Sequence, residues 1–168
     1  YYVYTPAPEP PHLSGTLTRN AFEFAGLRRG YSIYLPQDLP PNPPLVFALH
    51  GSDGSASGLR IETGYAFERL ADQHGFALVY PNGFEGNWNG CNIVGEYSAN
   101  ARDIDDVGFL SALIDRLVVD VAIDPHRVFA IGVSRGGHMA FRLALEAPSR
   151  YRAIAAVAAN LPDADNFK

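Results

Sequence analysis

The sequence predicts an α/β fold in which helices cover both faces of a mostly parallel central sheet. After Pro44, short apolar runs alternate with longer stretches of helical periodicity, which is the pattern of successive βαβ units. The chain has 168 residues, of which 47% are hydrophobic, so it is long enough to bury one sizeable core. We therefore expect a single domain over residues 1–168, in which residues 1–11 form an extended proline-rich arm.

Apolar segments of strand length occur along the whole chain. Residues 13–18 and 31–35 alternate between apolar and polar positions around the turn formers Gly26 and Gly30, which predicts an antiparallel pair at a sheet edge. The other predicted strands are short apolar runs separated by helical sequence, as in parallel sheets. They span residues 45–50, 76–80, 128–132 and 153–158.

Helices are predicted over residues 60–73, 103–121 and 135–147. Gly75 is expected to end the first of them. In the second, apolar residues recur on one face, and either Asp103 or Asp105 is expected to cap the N-terminus. Asp105 and Asp106 are interpreted as helix-start carboxylates, which favour the positive end of the helix dipole.

The composition argues against several kinds of partner. The net charge is -5 and no run of Lys or Arg occurs, which predicts neither a nucleic-acid footprint nor a polybasic membrane patch. No apolar segment approaches the roughly 20 residues that a membrane span needs. Cys91 is the single cysteine, and no spacing of Cys and His matches a zinc site. The expected partner is a neutral or small molecule.

The strongest chemical signal is Gly132-Val133-Ser134-Arg135-Gly136, which lies between a predicted strand and a predicted helix. A serine hydroxyl is a weak nucleophile, so it needs a sharp turn where a base takes its proton and backbone amides meet the oxyanion. Strand, turn and helix in this order are typical of the nucleophile elbow of α/β-hydrolases. Ser134 is therefore predicted to be the catalytic nucleophile. The alternative is a serine in an ordinary turn between a strand and a helix.

A second signal is His50-Gly51-Ser52-Asp53-Gly54, directly after a predicted strand. In α/β-hydrolases the loop at this place supplies one oxyanion donor, and the residue after the nucleophile supplies the other. The amides of Ser52 and Arg135 are therefore predicted to form the oxyanion hole. Gly51 is an alternative to Ser52, because the phase of a tight turn cannot be read to one residue. A glycine-rich turn without a role also remains open.

Residues 82–102 are rich in Gly and Asn and are predicted to form a long loop. The loop follows a strand end, which is where α/β proteins bind ligands. It contains Trp88, the one tryptophan of the chain. Trp88 is predicted to bind substrate by lining an acyl or aromatic pocket, with a role as a packing anchor equally open.

As a set, these motifs resemble the polyhydroxybutyrate depolymerase and feruloyl esterase family of α/β-hydrolases. The resemblance covers residues 30–162 and rests on the following motifs in order: His50-Gly51, Tyr80-Pro81-Asn82-Gly83, Trp88, Asp105-Asp106-Val107-Gly108-Phe109, Asp124-Pro125-His126-Arg127-Val128 and Gly132-Val133-Ser134-Arg135-Gly136-Gly137. It implies a secreted serine esterase that needs no cofactor. The implied substrates are small-molecule or polymeric esters, such as a polyester or the feruloyl and acetyl esters of plant cell walls.

The acid and base of the triad are not found in this chain. In α/β-hydrolases they follow the nucleophile, in the order Ser, acid, His. His138 is expected to be structural, because one helical turn places its ring away from the Ser134 hydroxyl. His50 is expected to belong to the oxyanion strand rather than to act as base. Asp163 and Asp165 are expected to be surface residues, since no histidine follows them.

The domain is therefore expected to be truncated after its sixth strand, with the C-terminal strands absent. A missing C-terminal segment of the same protein would carry the acid and the base. Any disulfide partner of Cys91 would also lie beyond Lys168. The remaining histidines are expected to be solvated: His12, His74 and His126.

Two other functions remain open. A serine peptidase similar to the prolyl oligopeptidase group is permitted by the pair Gly136-Gly137, although those enzymes usually carry a large additional domain. A non-catalytic binding domain with an α/β-hydrolase scaffold would not need a triad. An intact elbow and oxyanion loop have no evident use in such a domain, so the esterase is favoured.

Overall fold

The computed structural model describes residues 6–91 and 97–162. The strands in these residues are β1 (Thr16–Phe24), β2 (Leu27–Leu35), β3 (Leu45–Leu49), β4 (Ala77–Pro81), β5 (Val128–Val133) and β6 (Ala153–Val157). They form one sheet in the order β1-β2-β4-β3-β5-β6. β4, β3, β5 and β6 run parallel to one another, whereas β2 pairs antiparallel with β1 and β4. The predicted sheet is thus confirmed.

The first two strands are longer than their sequence patterns predicted and form a tight hairpin. Ala25 and Gly26 turn the chain with φ angles of 48° and 75°, which suit the twist of a two-residue hairpin loop. The turn predicted at Gly30 is wrong, because Gly30 lies inside β2 and pairs with Ala21. Pairing on both sides of β2 outweighs the weak strand propensity of a glycine.

The helices of the described residues are α1 (Ala56–Glu62), α2 (Ala66–His74), α3 (Ser98–Ala101), α4 (Asp106–Val121) and α5 (Arg135–Glu146). The single helix predicted over residues 60–73 is wrong. Gly64 and Tyr65 have φ angles of 57° and 58°, and such left-handed residues separate α1 from α2. α1 begins early because the Ser55 side chain accepts a hydrogen bond from the Gly58 amide. Gly75 ends α2, as predicted.

The two later predicted helices are confirmed as α4 and α5, with slightly different ends. Asp105 caps α4, because its carboxylate accepts a hydrogen bond of 2.7 Å from the Gly108 amide. Asp105 rather than Asp103 is therefore the capping residue of the two candidates. α3 lies inside the segment that was predicted to be loop throughout.

Helices cover both faces of the sheet, as predicted. On one face α4 and α5 enclose the larger core, which includes Phe47, Trp88, Phe109, Leu113 and Met139. On the other face α1 and α2 enclose a smaller core, which includes Tyr34, Leu59, Ala71, Leu78 and Tyr80. Because β3, β4 and β5 are parallel, the loops that follow them emerge at the same end of the sheet, which is where α/β folds place their sites.

The sheet has β1 at one edge and β6 at the other, and the β6 edge is open in the described residues. β6 pairs there with β5, and Val157 at its end is 51% exposed. An apolar cavity of about 280 Å³ lies between β5, β6 and the first two helices, and Leu59, Phe67, Ile131 and Val133 contribute to its lining.

Residues 6–11 of the predicted arm lie outside helices and strands. No helix in the described ranges has the length and apolar character needed to cross a membrane.

Candidate active site

Ser134 occupies a strained turn between β5 and α5. Its φ and ψ angles are 53° and −119°, a combination that residues with side chains rarely adopt. The Ser134 amide donates a hydrogen bond of 2.8 Å to the oxygen of Val157, which holds the turn against β6. Ser134 is exposed, and its side chain makes no capping hydrogen bond to α5. The hydroxyl is therefore presented to solvent at the end of the sheet.

The glycines on either side of Ser134 are required by close packing. A Cβ atom at Gly132 would overlap the carbonyl oxygen of Gly136, and one at Gly136 would overlap the carbonyl oxygen of Leu49. Backbone atoms cannot move aside as a flexible side chain can. β3, β5 and the start of α5 thus approach so closely that only glycine fits at these two positions.

The loop after β3 passes directly beside Ser134. A Cβ atom at Gly51 would lie 3.5 Å from the Cβ of Ser134 and 4.0 Å from its Oγ. Within residues 6–91 and 97–162, the amides of Gly51 and Ser52 donate to no backbone or side-chain acceptor. Gly54 further along donates to the oxygen of Gly86 over 3.2 Å, which ties this loop to the loop after β4. Gly51, one of the two candidate oxyanion donors of this loop, thus lies beside the predicted nucleophile.

Trp88 is a packing anchor, which corrects the predicted substrate-binding role. Its side chain is 0% exposed, so it offers no surface to a substrate. The indole Nε1–H donates a hydrogen bond of 3.0 Å to the oxygen of His50, and the two ring centroids lie 5.1 Å apart. A buried indole needs such an acceptor for its N–H group. Trp88 thereby fastens the loop after β4 to His50, the first residue of the loop after β3.

Arg135 has a buried side chain whose role the sequence analysis missed. The residue is 3% exposed, and its Nε donates a hydrogen bond of 2.9 Å to the oxygen of Trp88. A second guanidinium nitrogen donates to Oδ1 of Asn100, and the guanidinium carbon lies 4.6 Å from the ring centroid of Tyr97. Burial lowers the pKa of Arg135, although arginine remains charged in proteins. The sequence signal that could have indicated this role is the presence of a long cationic side chain within a motif of small residues.

Asp106 belongs to a buried ion pair, so its interpretation as a helix-start carboxylate is incomplete. Its Oδ1 accepts a hydrogen bond of 2.5 Å from Arg29, and the two side chains are 0% and 3% exposed. The other carboxylate oxygen accepts a hydrogen bond of 2.7 Å from the Asn89 amide. The pair thus holds the segment that follows Trp88 against β2 and α4.

Neither candidate histidine shares a hydrogen bond with the Ser134 hydroxyl. His50 is 1% exposed, and both its ring nitrogens contact backbone groups of neighbouring loops. Both ring nitrogens of His138 are buried and have no hydrogen-bond partner among the described residues. Burial lowers the pKa of both histidines, and the charge of Arg135 adds to the effect at His138. The expectation that neither residue acts as the base agrees with this geometry.

The other residues weighed for catalysis lie away from the elbow or outside the described ranges. The three histidines predicted to be solvated are exposed: His12, His74 and His126. Asp163 and Asp165 lie outside the described residues. Cys91 is buried and free, and burial raises the pKa of its thiol. Residues 6–91 and 97–162 contain no group of three or more His, Cys, Asp or Glu side chains arranged to hold a metal ion.

The elbow, the adjacent loop and the sheet order agree with the match to a known family. A family model described as Esterase PHB depolymerase matches residues 29–161. The chain belongs to this esterase family. The resemblance predicted from the ordered motifs is therefore confirmed, over nearly the same residues.

Curated relatives support the same assignment over most of this chain. A candidate esterase, NocK of Nocardia uniformis subsp. tsuyamanensis, is 36% identical over 163 residues, which are 95% of this chain and 46% of NocK. Feruloyl esterase C of Emericella nidulans is 30% identical over 152 residues, which are 87% of this chain and 51% of that protein. The chain thus spans about half the length of these curated relatives.

A solved structure confirms the fold. Acetyl xylan esterase from Aspergillus awamori superimposes with a TM-score of 0.69 at 23% sequence identity. The match covers 90% of this chain and 56% of that structure. At this identity the likeness establishes the shared α/β-hydrolase fold, including the mostly parallel sheet with helices on both faces.

Proposed function

We propose that this chain is the nucleophile-bearing part of a serine carboxylic ester hydrolase that works through an acyl-enzyme at Ser134. The observation that carries the proposal is the geometry of Ser134, which is exposed in a strained turn with φ of 53° and ψ of −119°. Such strain persists where the surrounding structure enforces it, and it is concentrated at functional sites. The glycine-only contacts on both sides of Ser134 are what enforce it here.

In the proposed reaction, Oγ of Ser134 attacks the carbonyl carbon of the ester and forms a C–O bond. The carbonyl oxygen becomes an oxyanion, which is held by the amides of Arg135 and of Ser52 or Gly51. Collapse of the tetrahedral intermediate breaks the bond to the alcohol, which leaves with a proton. Water then attacks the acyl-enzyme, releasing the carboxylic acid and restoring the Ser134 hydroxyl.

The proton transfers require a base and an acid that we propose lie outside these 168 residues. The support is that both ring nitrogens of His50 are occupied by backbone groups, while those of His138 are buried without reaching Ser134. The relatives of the chain are also about twice as long as the matched part. Without base and acid, turnover falls by several orders of magnitude, while oxyanion binding alone leaves some residual activity.

The proposed substrates are carboxylic esters of the feruloyl, acetyl or hydroxyalkanoate kinds. The names of the relatives support this range, since they include feruloyl esterase C, acetylxylan esterase and a poly(3-hydroxyalkanoate) depolymerase. Substrates that are polymers cannot enter a cell, so we propose that the protein acts outside it. Activity in the culture medium rather than in the cell pellet would test the location.

An active-site label tests the proposed nucleophile. The full natural protein would be treated with a fluorophosphonate, and the adduct counted by intact mass and located by peptide mass spectrometry. We expect one adduct at Ser134, none in Ser134→Ala, and much slower labelling of the 168-residue chain. Absence of an adduct in the full protein would favour the non-catalytic binding domain, and an adduct elsewhere would overturn the assignment of Ser134.

A substrate panel separates an esterase from a peptidase. p-Nitrophenyl acetate, methyl ferulate and a poly(3-hydroxybutyrate) emulsion would be compared with peptide p-nitroanilides, using Ser134→Ala as the blank. We expect hydrolysis of at least one ester and no release from the peptides. Higher kcat/KM on the peptides would favour the prolyl oligopeptidase type instead.

A further inference from the structure

We propose that His50 is a positioning residue, whose neutral imidazole, protonated on Nδ1, orients the Ser52 amide as the oxyanion donor of the loop. The proposal rests on the proposed esterase function and adds to it. It assigns a role to a buried polar side chain that the reaction itself does not use. Of the two amides that the sequence left open, those of Gly51 and Ser52, it concerns the Ser52 amide.

The two partners of the ring determine where its proton lies. The Gly83 amide lies 3.0 Å from Nε2, and an amide can only donate, so Nε2 carries no proton. The Gly51 oxygen lies 2.7 Å from Nδ1, and a carbonyl can only accept, so Nδ1 carries the proton. Both hydrogen bonds are satisfied in one neutral tautomer. The other tautomer loses both bonds, and the imidazolium loses the bond from Gly83.

The bond to Gly51 fixes the direction of the next amide. The carbonyl of Gly51 and the N–H of Ser52 belong to one peptide unit, which is planar and trans, so the two groups point in opposite directions. Holding the Gly51 oxygen on the imidazole therefore points the Ser52 N–H away from the ring. Donation to the carbonyl oxygen also polarises the peptide unit, which strengthens its N–H as a donor.

The imidazole is itself held rigidly. His50 is 1% exposed, and its ring packs against Trp88 with centroids 5.1 Å apart. A Cβ atom at Gly54 would lie 2.8 Å from Nδ1, so the loop folds closely around the ring. The Trp88 indole donates to the His50 oxygen over 3.0 Å, which fixes the preceding peptide unit as well. Two buried aromatic side chains thus set two consecutive peptide planes beside Ser134.

The tautomer can be measured without any catalytic activity. Long-range ¹H–¹⁵N correlation spectra of the full natural protein, labelled on histidine nitrogens, would be recorded at pH 7, and His50→Asn would assign the signals. We expect His50 to be neutral with the proton on Nδ1. A proton on Nε2, or a charged ring, would overturn the proposal, whether or not the protein hydrolyses esters.

Kinetics of the full natural protein test the positioning role. His50→Leu removes both ring hydrogen bonds, whereas the side-chain amide of His50→Asn still reaches the Gly51 oxygen as a donor. We expect kcat of His50→Leu to fall by about 10²–10³, the usual loss for one oxyanion donor, with KM within about threefold of wild type. The kcat of His50→Asn should be at least about tenfold higher than that of His50→Leu. The exposed control His126→Leu should leave both constants unchanged.

A folded His50→Leu variant with wild-type kcat would overturn the proposal, whether or not its KM were raised. Folding of each variant would be checked by thermal unfolding. If His50→Leu does not fold, the tautomer spectrum still decides. If the wild-type protein neither hydrolyses esters nor takes a fluorophosphonate label, the proposed function fails, while the spectrum still reports the state of His50.

Discussion

The guanidinium of Arg135 donates a hydrogen bond from Nε to the backbone oxygen of Trp88 over 2.9 Å. This bond joins the residue after Ser134 to the loop after β4. Since the Trp88 indole donates to the His50 oxygen, the three segments around Ser134 form one connected network. The elbow therefore depends on contacts between residues that are far apart in sequence.

Replacing Arg135 by methionine should destabilise the fold while keeping the backbone amide. The Trp88 oxygen and the Asn100 side chain would lose their donor, and one or two unsatisfied buried groups cost about 1–3 kcal/mol each. We expect the free energy of unfolding in urea to fall by about 2–4 kcal/mol. Arg152→Met, at an exposed position, is the matched control and should change it by less than about 0.5 kcal/mol. Equal effects of the two substitutions would contradict this role.

Alanine at Gly136 should be poorly tolerated. Its Cβ would overlap the backbone oxygen of Leu49, so the elbow or β3 must shift. Overpacking of this kind costs about 1–3 kcal/mol or more. Gly30→Ala makes the same chemical change where the nearest atom is 3.5 Å away, so it should be near neutral. Thermal unfolding of both variants measures the difference, and a stable Gly136→Ala protein would contradict the steric explanation of the motif.

Breaking the ion pair between Arg29 and Asp106 should be costly. Asp106→Asn leaves Arg29 buried without its anionic partner, and removal of one partner of a buried pair costs about 3–5 kcal/mol. The control pair is Arg116 and Asp120, whose side chains are 48% and 46% exposed. Asp120→Asn should cost less than about 1 kcal/mol. Urea unfolding gives both values, and a small effect of Asp106→Asn would show that the buried charges contribute little.

Stability should decrease as the pH falls below about 6.5, the ordinary pKa of histidine. Burial lowers the pKa of His50 and His138 in the folded protein, although Asp106 and Glu62 oppose the shift at His50. The unfolded chain then binds protons that the folded chain does not, so protonation favours unfolding. Free energies of unfolding between pH 8 and pH 5 would measure the slope. His138→Gln should reduce the slope and His74→Gln, at an exposed site, should not; the reverse result would contradict the assignment.

The sequence correctly predicted the features that can be read along the chain, and it missed features that backbone conformation or distant pairing decides. Strand and helix order and the end of α2 at Gly75 depend on local patterns, and the elbow at Ser134 was recognised from the order of strand, motif and helix along the chain. The break between α1 and α2 was missed because helical periodicity continues through Gly64 and Tyr65, whose left-handed φ angles leave little trace in composition. The turn assigned to Gly30 failed because strand pairing outweighed a local preference.

By itself, the sequence determined the α/β fold, the family and the place of Ser134, because strand and helix periodicity and the order of the motifs can be read along the chain. The tertiary structure decided the roles of Trp88, Arg135 and Asp106. Each of these side chains is buried and bonded to a group on another element. Burial and partner choice arise when distant segments pack together, so residue type and spacing along one chain do not specify them.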